Sequence, residues 1–229
     1  MISTGLVQYT LSYLKTGNDP TMTPAEIARF NMIEQQIRPW EVLDHRVLTV
    51  LGEIDRADFV PEPYRGLAYA DCQIPLGGGA RMLPPTVEGR MLQALLINPR
   101  DHVLEVGCGS GYITACLARL AGRVTSIDRR QELVDFASGN LAGYGAANVD
   151  FEQASHEQLD RAETYDAIAV NGSLAAIPEN LKQALVVGGR LFVVVGRSPV
   201  MEAMLITRVS PSEWTEQSLF ETDLPRLDG

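Results

Sequence analysis

Cysteine and histidine are scarce in this chain of 229 residues, and their scarcity narrows the chemistry that the protein can perform. The three cysteines, Cys72, Cys108 and Cys116, form no C-x-x-C pair and show no metal-ligand spacing with the three histidines. No metal site is therefore predicted. Because a small, odd number of cysteines is typical of a reducing compartment, we expect a cytoplasmic protein with free thiols.

Positive charge is also scarce, since 19 Lys and Arg residues stand against 29 Asp and Glu residues and the formal net charge is −10. An acidic surface repels a phosphate backbone, so no nucleic acid partner is predicted. The N-terminal segment lacks a basic start followed by an apolar core, so neither a secretory signal nor a membrane association is predicted. Residues 1–22, which include a Gly-Asn-Asp-Pro turn cluster, are interpreted as a loosely attached extension.

The order of the predicted elements indicates an α/β fold. Thr23 and Glu26 form a capping-box pattern that starts a helix near Pro24, and Pro39 ends this helix. A second helix is predicted over 44–54, with Asp44 as its N-cap. Residues 56–85 are rich in Pro and Gly, and their hydrophobic residues do not recur at the spacing of a helix or a strand. This stretch is interpreted as an irregular binding segment. Helices are then predicted over 86–97, 111–121, 131–142 and near 178–186, and strands over 102–107, 123–128, 148–152, 165–170 and 190–196.

This alternation predicts a doubly wound, mostly parallel sheet covered by helices on both faces. An antiparallel hairpin through Pro211 and Ser212 is predicted to follow it. We therefore predict one domain over residues 23–229. It consists of N-terminal helices and a substrate-side loop over 23–85, and a Rossmann-like core over 86–229.

A glycine-rich turn follows the first strand of this core, in the sequence LEVGCGSGY of residues 104–112. Gly107, Gly109 and Gly111 stand where a doubly wound sheet binds its ligand, beside the N-terminus of the next helix. A tight turn without a ligand is the weaker interpretation, because three glycines in five residues cost conformational entropy. A dinucleotide is the weaker ligand, because its turn requires a small residue where Tyr112 stands.

Acidic residues at two strand ends favour a different ligand. Glu105 suits a ligand that carries an ammonium group and no phosphate, and Asp128 can accept hydrogen bonds from both ribose hydroxyls. The sequence therefore predicts S-adenosylmethionine as the cofactor.

From about residue 31 to residue 196, the chain resembles the protein-L-isoaspartate O-methyltransferase family. The resemblance is carried by MIEQQIRPWEVLDHRVLTVLGEIDRADFVP, AYADCQIPLGGG, HVLEVGCGSGYITACLA and YDAIAV. It implies a class I methyltransferase fold and transfer of a methyl group to the carboxyl of L-isoaspartyl residues in damaged proteins. The implied partner is a carboxylate-bearing acceptor, such as an isoaspartyl peptide or protein, and we expect a monomer or weak oligomer.

The resemblance also implies a cofactor site. Glu105 and the three glycines would line the methionine and ribose part of the cofactor, and Asp128 would hold the ribose hydroxyls. The other predicted cofactor-binding residues are Cys108, Ser110, Ser155, His156 and Asn171. Ser155 and His156 stand where the family has a G-D-G segment near the adenine.

The acceptor loop departs from the family pattern. The family has G-x-G-Q-T-I-S-x-P, with its serine beside the isoaspartyl carboxylate, whereas this chain has GGGARMLPP, with Leu83 at the serine position. Arg81 is the candidate partner for an acceptor carboxylate. No general base is required, because such an acceptor is ionised at pH 7. A methyltransferase with another acceptor and a non-catalytic protein that binds S-adenosylmethionine remain as alternatives.

Overall fold

The computed structural model describes residues 21–227, so the first 20 residues of the predicted extension lie outside it. Helix α1 (Pro24–Asn31) begins with the predicted capping box, in which Thr23 Oγ1 accepts a hydrogen bond from Glu26 N. Beyond Asn31 the chain widens into a π-helical segment (Met32–Ile37) and ends in a 3₁₀ turn (Arg38–Trp40), where one continuous helix was predicted. Helix α2 (His45–Glu53) is capped by Asp44, as predicted.

The segment over 56–85 is more regular than its composition indicates. It contains two 3₁₀ segments (Arg56–Phe59 and Glu62–Leu67) and an antiparallel hairpin of strands β1 (Ile74–Gly77) and β2 (Ala80–Met82). Gly78 and Gly79 form the hairpin turn with φ angles of 55° and 86°, which glycine adopts without steric cost. Strands of three and four residues are too short to produce a visible period, so the hairpin was not predicted.

The rest of the chain alternates between helices and strands as predicted. The helices are α3 (Pro85–Ala94), α4 (Tyr112–Leu120), α5 (Gln131–Leu141) and α6 (Glu179–Ala184). The strands are β3 (His102–Val106), β4 (Arg123–Asp128), β5 (Val149–Gln153), β6 (Tyr165–Leu174), β7 (Leu185–Arg197), β8 (Val200–Ser210) and β9 (Glu213–Thr222). Three boundaries differ from the prediction by three or more residues. Helix α3 ends before Leu96, whose φ is 46°, β6 continues four residues further than expected, and β7 begins five residues earlier.

The large sheet has the strand order β5-β4-β3-β6-β7-β8-β9. Strands β3 to β7 pair in parallel, and β8 and β9 are antiparallel, which confirms the predicted fold class. Because β4 and β6 flank β3, the crevice at the carboxyl end of β3 is the switch point at which such sheets bind ligands.

Alternate residues of the central strands pack into two different hydrophobic clusters, one on each face of the sheet. Val103 and Ala167 belong to the cluster that includes α2, α3 and α4, whereas Leu104 and Ile168 pack with α6 on the other face. The N-terminal helices thus share a core with the first face. No helix within residues 21–227 is long and apolar enough to cross a membrane.

Candidate cofactor and acceptor site

The glycine turn joins β3 to α4 and requires glycine for steric reasons. Gly107 and Gly111 have φ angles of 87° and 86°, in the left-handed region that other residues rarely adopt. A Cβ atom on Gly111 would lie 2.8 Å from the carbonyl oxygen of Ala137 in α5. The turn therefore brings the N-terminus of α4 against α5, and the missing side chains let other groups approach its backbone closely.

Glu105 is fully buried behind this turn. One carboxylate oxygen accepts hydrogen bonds from Thr114 Oγ1 at 2.5 Å and Ser126 Oγ at 2.6 Å, and the other accepts one from Asn171 Nδ2 at 2.6 Å. Burial raises the pKa of Glu105 to about 7, although the three hydrogen bonds lower it. Two cavities, described below, adjoin the turn, and Glu105 lines neither of them. Its hydrogen-bond partner Asn171 lines one of the two.

The first of these cavities, which we call the β4-side cavity, lies beyond the carboxyl ends of β3 and β4. It is lined by Val106, Gly107, Ile127, Asp128, Arg129, Ala154, Ser155, His156 and Leu227. Asp128 holds the loop after β4 by accepting a 3.0 Å hydrogen bond from Arg130 N. Ser155 Oγ accepts a 3.3 Å hydrogen bond from Glu157 N. The structure thus brings three predicted cofactor residues, Asp128, Ser155 and His156, around one space.

The second cavity, which we call the hairpin-side cavity, lies between the glycine turn and β2. It is lined by Arg81, Met82, Leu83, Glu88, Gly107, Cys108, Gly109, Ser110, Tyr112, Ile113 and Asn171. Both acceptor-loop candidates, Arg81 and Leu83, therefore border the same cavity as the glycine turn. Gly107 borders both cavities, so the two lie next to each other at the glycine turn.

A buried ion pair holds the acceptor loop, and sequence analysis missed it. Arg56 Nε lies 3.0 Å from Glu88 Oε2, and neither side chain is more than 2% exposed. The same guanidinium donates to the carbonyl oxygens of Leu83 and Ala68, each at 2.7 Å. Arg56 and Glu88 stand 32 residues apart, so no local pattern indicates their pairing.

Arg81 contrasts with this pair, because its side chain is exposed on β2 and forms no ion pair with any residue between 21 and 227. The hairpin that carries it is tied down by Arg130, whose Nη1 donates a 2.9 Å hydrogen bond to Gly78 O. The hairpin is thereby connected to the loop that begins at Asp128.

The C-terminal segment also reaches the site, which sequence analysis did not predict. Ser173 N donates to Pro225 O, and Leu227 N donates to Ser173 O, so this segment lies along the end of β6. Leu227 lies so close to Gly107 that a Cβ there would be 3.0 Å from its side chain. The hydrophobic periodicity of the sequence does not indicate that a single leucine near the C-terminus lies beside the glycine turn.

Tyr112, which argued against a dinucleotide turn, packs inward. Its ring is 1% exposed, meets Phe59 with 5.6 Å between centroids, and has the Arg56 guanidinium carbon 5.4 Å from its centre. The large side chain of Tyr112 joins α4 to the 3₁₀ segment that contains Arg56 and Phe59. The small residue of a dinucleotide turn could not make this contact.

The donors and acceptors around the turn fit S-adenosylmethionine. Asp128 presents a carboxylate to the β4-side cavity, and Asn171 Oδ1 is a buried acceptor that has no hydrogen-bond partner among residues 21–227. Over the same residues, no group of three or more His, Cys, Asp or Glu side chains could hold a metal ion. The sheet order and this turn define a doubly wound α/β protein with a nucleoside-type ligand at its switch point.

Comparison with known proteins identifies the family within this class to which the chain belongs. The chain belongs to the protein-L-isoaspartate(D-aspartate) O-methyltransferase family, which matches residues 28–221. A protein-L-isoaspartate O-methyltransferase from Rhodopseudomonas palustris is 37% identical over 190 residues, which cover 82% of this chain and 87% of the relative. Protein-L-isoaspartate O-methyltransferase 2 from Marinobacter nauticus is 39% identical over 189 residues, which cover 82% of this chain and 86% of that relative.

Solved structures show the same fold. A protein-L-isoaspartate O-methyltransferase from Plasmodium falciparum, in complex with S-adenosyl-L-homocysteine, matches with a TM-score of 0.74 at 21% identity. The match covers 86% of this chain and 96% of that one. Family membership confirms the predicted family, the methyltransferase class and S-adenosylmethionine as the methyl donor.

Proposed function

We propose that this protein transfers the methyl group of S-adenosylmethionine to the carboxylate of L-isoaspartyl residues, as a step in the repair of damaged proteins. The observation that carries the proposal is the hairpin-side cavity, which places Arg81 and Leu83 opposite the glycine turn. Through Gly107 this cavity adjoins the β4-side cavity, so a donor and an acceptor can meet over one backbone segment.

Residues of the β4-side cavity would hold the nucleoside end of the cofactor. Asp128 would accept hydrogen bonds from the ribose hydroxyls, and Ser155 and His156, which line the same cavity, would border the adenine. The backbone of residues 107–110, including Cys108 and Ser110, would hold the rest of the cofactor, because it also lines the hairpin-side cavity. When bound, S-adenosylmethionine supplies a methyl group that is activated by the positive charge of its sulfur.

Arg81 holds the acceptor carboxylate. A guanidinium can make paired, charge-assisted hydrogen bonds with a carboxylate, and Arg81 has no competing ion pair within residues 21–227. It replaces the hydroxyl that Leu83 lacks, while Arg56 fixes the backbone carbonyl of Leu83. The protein contributes alignment and exclusion of water, and no proton has to be removed from an ionised carboxylate.

The proposal includes a setting for the reaction. We expect the protein to act as a monomer or weak oligomer. The free thiols of Cys72, Cys108 and Cys116 suit a reducing cytoplasm, where isoaspartyl residues of cytoplasmic proteins would be the acceptors.

The test uses two peptides of identical sequence, one with an isoaspartyl residue and one with an ordinary aspartyl residue. We expect methylation of the isoaspartyl peptide alone, measured as transfer of labelled methyl groups to the peptide. Equal rates on both peptides, or no rate above background, would overturn the proposed substrate.

A pair of variants tests the role of Arg81. Arg81→Gln removes the charge at the cavity, and we expect kcat/KM for the isoaspartyl peptide to fall by roughly 10- to 100-fold through loss of a charged hydrogen bond. Arg119→Gln removes an exposed charge near the C-terminal end of α4, away from the turn, and should leave kcat/KM unchanged. Equal kcat/KM values for the two variants would contradict a role of Arg81 in holding the acceptor.

A further inference from the structure

The amide of Asn171 has a defined orientation. Its Nδ2 donates a 2.6 Å hydrogen bond to Glu105 Oε1 and a 2.9 Å hydrogen bond to the carbonyl oxygen of Gly107. Both partners are acceptors, so rotating the amide by 180° would place Asn171 Oδ1 against two oxygen atoms. The nitrogen must therefore face Glu105 and Gly107.

This orientation leaves Asn171 Oδ1 as an acceptor without a partner. The atom is buried, and it makes no hydrogen bond within residues 21–227. Asn171 borders the hairpin-side cavity beside Cys108 and Ser110, so a bound molecule can supply the missing donor. A buried acceptor without a donor is unfavourable, so this arrangement favours a ligand that carries an N–H group.

We infer that Asn171 Oδ1 accepts a hydrogen bond from the α-ammonium group of the cofactor, and that Glu105 is the positioning residue that holds the amide for it. The inference rests on the cofactor of the proposed function and does not depend on the acceptor substrate. It changes the role expected for Glu105, which reaches the ligand through Asn171.

The chemistry of the surroundings favours an ammonium group over other donors. Asp128, in the β4-side cavity, would accept hydrogen bonds from the ribose hydroxyls. Gly107 borders both that cavity and the one lined by Asn171, so the amino-acid end of the cofactor would extend toward the amide. The acceptor carboxylate carries no proton at pH 7 and cannot donate. The carboxylate of Asp128 also adds a negative charge to the neighbouring cavity, which attracts a cation.

Glu105 is held for this task by three elements. Thr114 belongs to α4, Ser126 to β4 and Asn171 to β6, and each donates to the same carboxylate. Two of these donors fix the carboxylate itself, and the third is the amide that it orients. The hydrogen bond from Asn171 Nδ2 to the fixed carboxylate of Glu105 restrains rotation of the amide, and it thereby fixes the direction of Asn171 Oδ1.

The test compares two ligands by calorimetry. The first is S-adenosylhomocysteine, and the second is its deaminated analogue, in which hydrogen replaces the ammonium group. We expect Asn171→Ala to weaken binding of S-adenosylhomocysteine by roughly 10- to 100-fold and binding of the deaminated analogue by less than about threefold. Equal losses for the two ligands, or no loss for either, would overturn the inference.

Asn148→Ala is the matched control. The Asn148 side-chain amide also donates two hydrogen bonds to backbone carbonyls, those of Ala118 and Ala121, but it borders neither cavity. We expect no change in the affinity of either ligand. Melting curves establish that each variant is folded, and Asn171→Ser replaces Asn171→Ala if the latter does not fold.

Glu105→Gln tests the positioning role, because it keeps the shape of the side chain and removes the charge. We expect a several-fold loss for S-adenosylhomocysteine and unchanged affinity for the deaminated analogue. A loss that is equal for both ligands would show that Glu105 only supports the fold. If the wild-type protein binds S-adenosylhomocysteine and the variants behave as expected, but no isoaspartyl peptide is methylated, the proposed function fails and this inference stands.

Discussion

The buried pair of Arg56 and Glu88 offers a strong test of how the acceptor loop is held. Arg56→Met removes a guanidinium that makes four hydrogen bonds: two with Glu88, and one each with the carbonyls of Ala68 and Leu83. Glu88, 2% exposed, would keep a carboxylate with no cationic partner. Because a buried charge without its partner is costly, we expect the free energy of unfolding to fall by about 3–5 kcal/mol.

A loss of that size is a large part of the roughly 5–15 kcal/mol by which a domain is stable. The assay is urea denaturation, and the matched control is Arg123→Met, which breaks a 2.8 Å pair with Asp150 in which both side chains are more than half exposed. For that exposed pair we expect a loss below about 1 kcal/mol. An Arg56→Met loss no larger than the Arg123→Met loss would refute the reasoning.

The double variant Arg56→Met/Glu88→Leu separates the charge from the rest of the effect. It removes the unpaired carboxylate, so we expect part of the lost stability to return. If nothing returns, the loss in Arg56→Met comes from the freed carbonyls of Ala68 and Leu83 or from packing. The activity on an isoaspartyl peptide should stay low in both variants, because the Leu83 carbonyl is no longer held.

Three further predictions concern the turn, the hairpin and pH. Gly111→Ala places a Cβ 2.8 Å from the carbonyl oxygen of Ala137 at a φ of 86°, so thermal melts should show a loss of about 1–3 kcal/mol. Arg130→Met removes the hydrogen bond to Gly78 O, so steady-state kinetics should show a several-fold higher peptide KM while calorimetry shows nearly unchanged S-adenosylhomocysteine affinity. Burial raises the pKa of Glu105 from 4.5 to about 7, so its contribution to stability is full below pH 4.5 and is lost as pH rises through 7.

Each of these predictions has its own control. Gly143→Ala should be nearly neutral, because its φ is not positive and nothing lies within 4 Å of the new Cβ. An Arg130→Met variant whose S-adenosylhomocysteine affinity falls as much as its peptide KM rises would contradict a role limited to the hairpin. For Glu105, urea denaturation from pH 5 to pH 8 should show a slope in the wild type that Glu105→Gln lacks, and parallel curves would contradict the pKa argument.

Local patterns were sufficient for the regular part of the fold. Short apolar runs between amphipathic segments predicted β3 to β7 and their helices, because burial on both faces of a parallel sheet imposes that pattern. The caps at Thr23 and Asp44 also follow from local residue types. The β1–β2 hairpin was missed, because its strands are too short to carry a period.

The candidate site divides in the same way. The glycine turn and Asp128 were predictable, since the end of a strand and the start of a helix are adjacent in sequence. The pairing of Arg56 with Glu88 and the tie between Arg130 and Gly78 were not, because the partners are distant in the chain. Leu227 reaches Gly107 only because the C-terminal segment runs along the end of β6.

The fold class, the family and the glycine turn could be predicted from local sequence, because each depends on residues that are close along the chain. What these residues face depends on how distant segments fold together. It buried Glu105 behind Asn171, turned Tyr112 toward Phe59, and brought Arg81 to the cavity beside the glycine turn. Burial and the direction of a side chain depend on contacts between distant segments, which no local pattern records.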